Sequence, residues 1–182
     1  MSTSSERRRW DTKHDAKEGP GDPTPFLVSS IQHLPPGRCL DLATGRGGNA
    51  LFMAAQGYRV DAVDWSFAGL NHAQEGAVRR NLPVNLLLAD LTKFPIPERR
   101  YDVVLCFRYL DRSLWGDMVQ ALRPGGALLI ETFTEEHLQT RPEFPREFCL
   151  APGELLTAFP ELRVVIYREI PGEGAASLLA FR

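Results

Sequence analysis

Residues 39 to 55 read CLDLATGRGGNALFMAA, an apolar run that ends in Asp41 and passes through Gly45, Gly47 and Gly48 into a helix-like segment. Glycines at such a strand-to-helix turn allow a tight reversal and let a ligand approach bare backbone, while the helix start offers free N–H groups and positive potential. Two further acids end apolar runs: Asp64 closes RVDAVD and Asp90 closes LLLAD. A carboxylate at Asp64, about twenty residues past the glycines, can accept both hydroxyl hydrogens of a ribose. One at Asp90 can accept from an adenine amino group. Successive strand ends of a doubly wound sheet converge on one crevice, so the three acids point to an adenosine-containing ligand.

Asp41 separates the candidate ligands. A dinucleotide would lay its pyrophosphate over this loop, where a carboxylate repels it, and the loop Ala43-Thr44-Gly45-Arg46-Gly47-Gly48 does not match GxGxxG. S-adenosylmethionine instead carries a sulfonium and an ammonium group, both favoured beside an acid. An NAD-dependent oxidoreductase is therefore the weaker reading among enzymes. A non-catalytic module that keeps the S-adenosylmethionine pocket as a sensor is the alternative outside them.

With those residues in view, DLATGRGG resembles the acid-x-Gly-x-Gly-x-Gly loop of the class I S-adenosylmethionine-dependent methyltransferases, and the resemblance runs over about residues 26 to 182. It implies that Gly45 and Gly47 lie under the methionine part, that Asp41 sits near its amino group, that Asp64 holds the ribose and that Asp90 faces the adenine. Ala43 stands where that superfamily has its first glycine. Trp65 and Leu91 follow the two acids and can flank the adenine ring. Arg46 either pairs with the methionine carboxylate or faces solvent, and Asn49 reads as a helix cap or first-turn residue.

Further along, FRYLDRSL, LRPGGALLIETF and LAPGELLTAF are similar to segments of the tellurite-resistance-type, small-molecule branch of the superfamily. That likeness implies a small acceptor: a metalloid oxyanion, a thiol or another small nucleophile. The tetrad and Pro-Cys pair of nucleobase methyltransferases are missing. Methyl transfer is an in-line displacement at a carbon activated by positive sulfur, so positioning and desolvation can suffice without a general base. Acceptor contacts are expected where the fourth and fifth strands end and on the N-terminal arm. Phe107 is read as a cofactor contact. Arg108 and Tyr109 follow it, and Arg108 either holds an anionic acceptor or pairs with Asp111 or Glu131. His137 is a candidate base or a lone surface histidine. Trp10, His14 and Phe26 form a lid or pack the arm against the domain.

Positioning these residues requires alternating strands and helices. FLVSSIQHL spaces its apolar residues helically before Pro35-Pro36-Gly37. Strands are predicted over 38–43, 58–64, 84–88, 101–106 and 127–133, with helices over 49–56, 67–80 and 113–122, the last ended by Pro124-Gly125-Gly126. A short helix near 152–158 and two strands, 162–169 and 176–181, complete the chain, the strands pairing as a hairpin across PGEG. The fold class is α/β: a doubly wound, mostly parallel, seven-stranded Rossmann-like methyltransferase sheet with a C-terminal antiparallel hairpin. Residues 1–25 are read as an N-terminal arm, mobile over 1–9 and irregular but ordered from Trp10, and residues 26–182 as the S-adenosylmethionine-binding domain.

At 182 residues, 43% hydrophobic and 24% charged, the chain can bury one core, and a net charge of −2 offers no general attraction to nucleic acid. No apolar run has the length of a signal or membrane span, so a cytoplasmic monomer or homodimer is expected. Cys39, Cys106 and Cys149 lack metal-ligand spacing and read as reduced core residues, with no metal site.

Overall fold

The computed structural model describes residues 3–182. Seven strands make up a mixed sheet, the α/β methyltransferase architecture. The chain groups into two compact units: one holds the chain up to Ile31 together with Pro36–Pro95, the other Gln32–Pro35 with Ile96–Arg182.

The first unit contains helix α1 (Thr3–Asp15), helix α2 (Pro25–Ser30), strand β1 (Arg38–Leu42), helix α3 (Gly48–Ala55), strand β2 (Arg59–Asp64), helix α4 (Phe67–Arg80) and strand β3 (Val84–Leu88). Its strands run parallel in the order β3-β2-β1, with Leu42 opposite Val63 and Asp64 opposite Leu88. Cys39, Leu40 and Leu42 of β1 and Val60, Ala62 and Val63 of β2 are buried, the continuous apolar pattern of parallel strands covered on both faces. Near the starts of the strands, Asp61 is buried and accepts from Arg38 Nε at 2.8 Å and from Asn85 Nδ2 at 2.8 Å.

The second unit contains strand β4 (Tyr101–Phe107), helix α5 (Trp115–Ala121), strand β5 (Leu122–Phe133), helices α6 (His137–Thr140) and α7 (Glu154–Thr157), and strands β6 (Arg163–Glu169) and β7 (Ala175–Phe181). β4 and β5 are parallel, and β7 is antiparallel to both β5 and β6. The order is β4-β5-β7-β6, so the C-terminal hairpin closes the sheet as the sequence pattern implies.

Three departures from the sequence reading have local causes. The arm is not irregular throughout: α1 is a helix, held by a stacked Trp10–His14 pair with ring centroids 5.9 Å apart and an Arg7–Asp11 ion pair at 3.9 Å. Met1 and Ser2 of the expected mobile start lie outside the described residues. Strand β5 begins at Leu122 rather than Ala127, because Pro124-Gly125-Gly126 does not end the pairing. Gly125 N–H donates to the Arg182 carbonyl at 2.9 Å and Arg182 N–H to that of Gly126 at 3.0 Å, which ties this turn to the end of β7. Helix α5 starts later than read because Asp111 accepts from Ser113 N–H at 3.0 Å and fixes Arg112–Leu114 as a 3-10 turn.

Candidate cofactor and acceptor sites

The glycine loop alternates left-handed residues: Ala43 at φ 56°, Gly45 at 56° and Gly47 at 78°. Ala43 therefore adopts a conformation costly to a residue with a Cβ, at the position where glycine was expected. Gly47 cannot be replaced, since an added Cβ would lie 2.5 Å from Ala73 Cβ on α4. Within the loop, Thr44 Oγ1 donates to Asp41 Oδ2 at 2.6 Å, Thr44 N–H to the Val63 carbonyl at 3.1 Å and Gly45 N–H to Asp64 Oδ2 at 2.7 Å. These bonds tie the exit of β1 to that of β2.

Asp41 and Asp64 are both buried, and their hydrogen-bond donors are neutral groups: the Thr44 hydroxyl for Asp41, the Gly45 and Ser66 N–H for Asp64. Neither has an ion-pair partner among the described residues. Burial pushes the Asp41 carboxyl up to about 7, against the Thr44 hydrogen bond and with added repulsion from Asp64. Burial also raises Asp64, opposed by the N–H groups of Ser66, Gly45 and Trp65 and by attraction to His14. Two buried acids at neighbouring strand tips, neither in an ion pair with a lysine or arginine among the described residues, fit a cationic ligand. Asp90 differs: it is half-buried, it accepts from the Thr92 hydroxyl at 2.7 Å, and that bond holds its carboxyl below the ordinary range. Ala89 N–H donates to the Asp64 carbonyl at 2.9 Å, which brings the Asp90 turn beside the Asp64 tip. Trp65 is half-buried and Leu91 buried next to these acids in sequence.

The arm is built onto this loop. Arg46 does not point free: its Nη1 donates to the Glu18 carbonyl at 2.9 Å and the Gly19 carbonyl at 2.7 Å. Asn49 Oδ1 accepts from Thr24 N–H at 2.8 Å. Asp11 Oδ1 accepts from Ser66 Oγ at 2.7 Å and from Ala68 N–H at 3.2 Å, where α4 starts. The His14 ring wedges between two glycines, 3.2 Å from where a Gly45 Cβ would stand and 3.3 Å from that of Gly69. Burial pulls the His14 imidazole below its ordinary value, while attraction to Asp64 pulls the other way. Asp11 and Ser66 were not singled out from the sequence. The usable signal was the i, i+3 spacing of Asp11 and His14, which puts both on one face of a helix.

In the second unit, Phe107 is buried at the end of β4. Arg108 follows, exposed, with φ 57°, its N–H donating to the Glu131 carbonyl at 2.7 Å. The expected ion pair with Asp111 or Glu131 is not made: Asp111 accepts from the Ser113 hydroxyl at 2.6 Å and Glu131 from that of Ser177 at 2.7 Å. Tyr109 is half-buried. His137 is not a lone surface residue. Its ring stacks on Phe133 with centroids 4.1 Å apart and meets Phe144 edge-on at 5.2 Å. All three cysteines are buried and free, and the described residues contain no metal-binding cluster and no helix long and apolar enough to cross a membrane.

Comparison with known proteins agrees with the fold. A family model for a methyltransferase domain matches residues 39–126. "Hemagglutinin 1" of Eikenella corrodens is 31% identical over 80% of this chain and 50% of its own length. Demethylmenaquinone methyltransferase of Thermus thermophilus is 35% identical over 54% of this chain and 48% of its own. The probable S-adenosyl-L-methionine-dependent methyltransferase TehB of Haemophilus influenzae is 27% identical over 81% of this chain and 53% of its own. A crystal structure of TehB from that organism superposes with a TM-score of 0.75 at 22% identity, covering 87% of this chain and 62% of that one. The chain spans about half the length of the curated relatives it matches. The loop, the sheet and these matches are all similar to those of the class I S-adenosylmethionine-dependent methyltransferases, whose fold the chain has. Among these proteins the TehB type is similar to the chain in both sequence and fold.

Proposed function

We propose that the chain transfers the methyl group of S-adenosylmethionine to a small-molecule acceptor in the cytoplasm, as a monomer or homodimer, with residues 26–182 as the functional domain and 1–25 as an arm over the cofactor. When bound, the cofactor supplies an electrophilic methyl carbon whose bond to sulfur breaks as an acceptor lone pair attacks, leaving a neutral thioether. The observation that carries the reading is the pair of buried acids, Asp41 and Asp64, with neutral hydrogen-bond donors and no lysine or arginine ion pair among the described residues.

In this reading Asp64 accepts from the ribose hydroxyls, Asp41 faces the cationic methionine end, and Asp90 accepts from the adenine amino group between Trp65 and Leu91. Ala43, Gly45 and Gly47 shape the loop beneath the ligand. Arg46 serves the cofactor indirectly, by fastening the arm whose His14 reaches the same loop. Arg108 and Tyr109 take the acceptor. His137, packed between two phenylalanines, acts as a wall of the acceptor site rather than as a base.

Calorimetric titration with S-adenosylmethionine, S-adenosylhomocysteine and NAD tests this. Saturable binding of the first two is expected, with at least a tenfold loss in Asp64→Ala. Binding of NAD alone overturns it.

A further inference from the structure

Four features of the second unit meet at the exits of two adjacent strands. β4 and β5 pair in parallel with Phe107 opposite Glu131, so Arg108 leaves β4 level with Thr132, one residue before Phe133. Neighbouring strands lie about 4.8 Å apart, which puts Arg108 and Phe133 on adjoining strand tips.

The cation there is uncommitted. Arg108 is exposed and has no acid partner among the described residues, although two acids nearby in sequence or pairing are satisfied by serines. Other arginines of the same unit are engaged: Arg112 with Glu154, Arg146 with Glu135 and Arg141 with Glu143. Its φ of 57° is left-handed for a residue with a long side chain, and such strain at a strand exit persists where function requires it.

The adjoining strand exit carries a ring cluster. Phe133, His137 and Phe144 are each half-buried, with Phe133 and Phe144 at 69° and centroids 5.3 Å apart, so the cluster keeps aromatic surface open to solvent. The loop carrying it is fixed: Leu150 N–H donates to the Phe133 carbonyl at 2.9 Å and Thr134 N–H to that of Gly174 at 3.0 Å.

A planar, singly charged guanidinium at one strand exit and aromatic surface at the adjoining exit match a ligand of one negative charge and one flat ring. A bare oxyanion would use the charge and leave the rings idle. We infer that the methyl acceptor is a small aromatic anion, such as a benzoate or phenolate, with its charge on Arg108 and its ring against Phe133, His137 and Phe144. This rests on the methyltransferase reading above.

The test is calorimetric titration of the protein saturated with S-adenosylhomocysteine, using 4-hydroxybenzoate, benzyl alcohol and inorganic selenite as probes. Hydroxybenzoate is expected to bind, the neutral alcohol at least tenfold more weakly, and selenite more weakly still. Arg108→Gly relieves the left-handed strain, so it folds at least as well. It is expected to lower hydroxybenzoate affinity at least tenfold with S-adenosylhomocysteine affinity unchanged. Phe144→Leu should lower it severalfold. If S-adenosylhomocysteine binds but hydroxybenzoate does not, or binds wild type and Arg108→Gly alike, or if selenite is preferred, the aromatic-anion assignment is wrong and the methyltransferase reading stands. If S-adenosylhomocysteine itself does not bind, both fall.

Discussion

Asp11 accepts a hydrogen bond from the Ser66 hydroxyl at 2.7 Å, so a residue of the first helix joins the N-terminal cap of the fourth. Ser66 in turn accepts from Gly69 N–H at 3.1 Å, and Asp11 takes the Ala68 N–H that the cap serine leaves free. Replacing Asp11 by Ala strips a donor pair of its acceptor and loosens the arm from α4. The expected cost is about 1–2 kcal/mol in chemical denaturation. Limited proteolysis should show faster cleavage within residues 16–24, with the remainder of the chain equally resistant. Unchanged cleavage would mean that Arg46 and Asn49 hold the arm without Asp11.

The buried acids set a pH dependence. In an unfolded chain both Asp41 and Asp64 titrate near about 4. Folded, burial raises Asp41 to about 7 and moves Asp64 in the same direction. Because the native state holds these protons more tightly, the stability they contribute is fully present below about pH 4 and is lost as pH rises through about 7. Cofactor binding runs the other way, since a cation favours the ionised acid. Affinity for S-adenosylmethionine should therefore climb by up to about tenfold per pH unit below about pH 7 and level off above it. Asp41→Asn should bind more weakly and flatten the profile. A flat wild-type profile removes Asp41 from the cofactor site.

Ala43 offers a stabilising substitution. Its φ of 56° costs an alanine about 1 kcal/mol that a glycine does not incur, partly offset by the greater freedom of glycine in the unfolded chain. Ala43→Gly should raise stability by about 0.5 kcal/mol, read as a higher denaturation midpoint at constant slope. A lower midpoint would show that the Ala43 methyl makes packing contacts worth more than the strain.

Most of the sheet was legible because parallel strands buried on both faces are written as apolar runs, and β3 and α4 have the bounds their periodicity gives. The acids were legible as strand ends. Three features were not, each for a physical reason. α1 is polar apart from Trp10 and gains its helix from Trp10–His14 stacking and from docking on α4, neither of which leaves an apolar stripe. Arg46 looked like a ligand group because sequence cannot show that the arm's carbonyls return to meet it. His137 looked isolated because its ring partners, Phe133 and Phe144, lie four residues before it and seven after, in a loop of no regular period.

Asp61 separates stability from ligand binding. It lies on β2 three residues before Asp64, about 10 Å along the strand and away from the tips that carry the site. Arg38 binds it through Nε and Nη2, each at 2.8 Å, and Asn85 completes the set. Asp61→Ala would leave a guanidinium and an amide without their acceptor between strands. Removing one partner of a buried pair costs about 3–5 kcal/mol, and the partial exposure of Arg38, 30% for its side chain, brings the expected loss to about 2–3 kcal/mol. Asp61→Asn keeps one acceptor oxygen and should lose less. In both variants the folded fraction should bind S-adenosylmethionine with wild-type affinity, because the loop bonds from Thr44 and Gly45 to Asp41 and Asp64 do not involve Asp61. A matching loss of affinity, measured well below the unfolding transition, would show instead that the two ends of β2 are coupled.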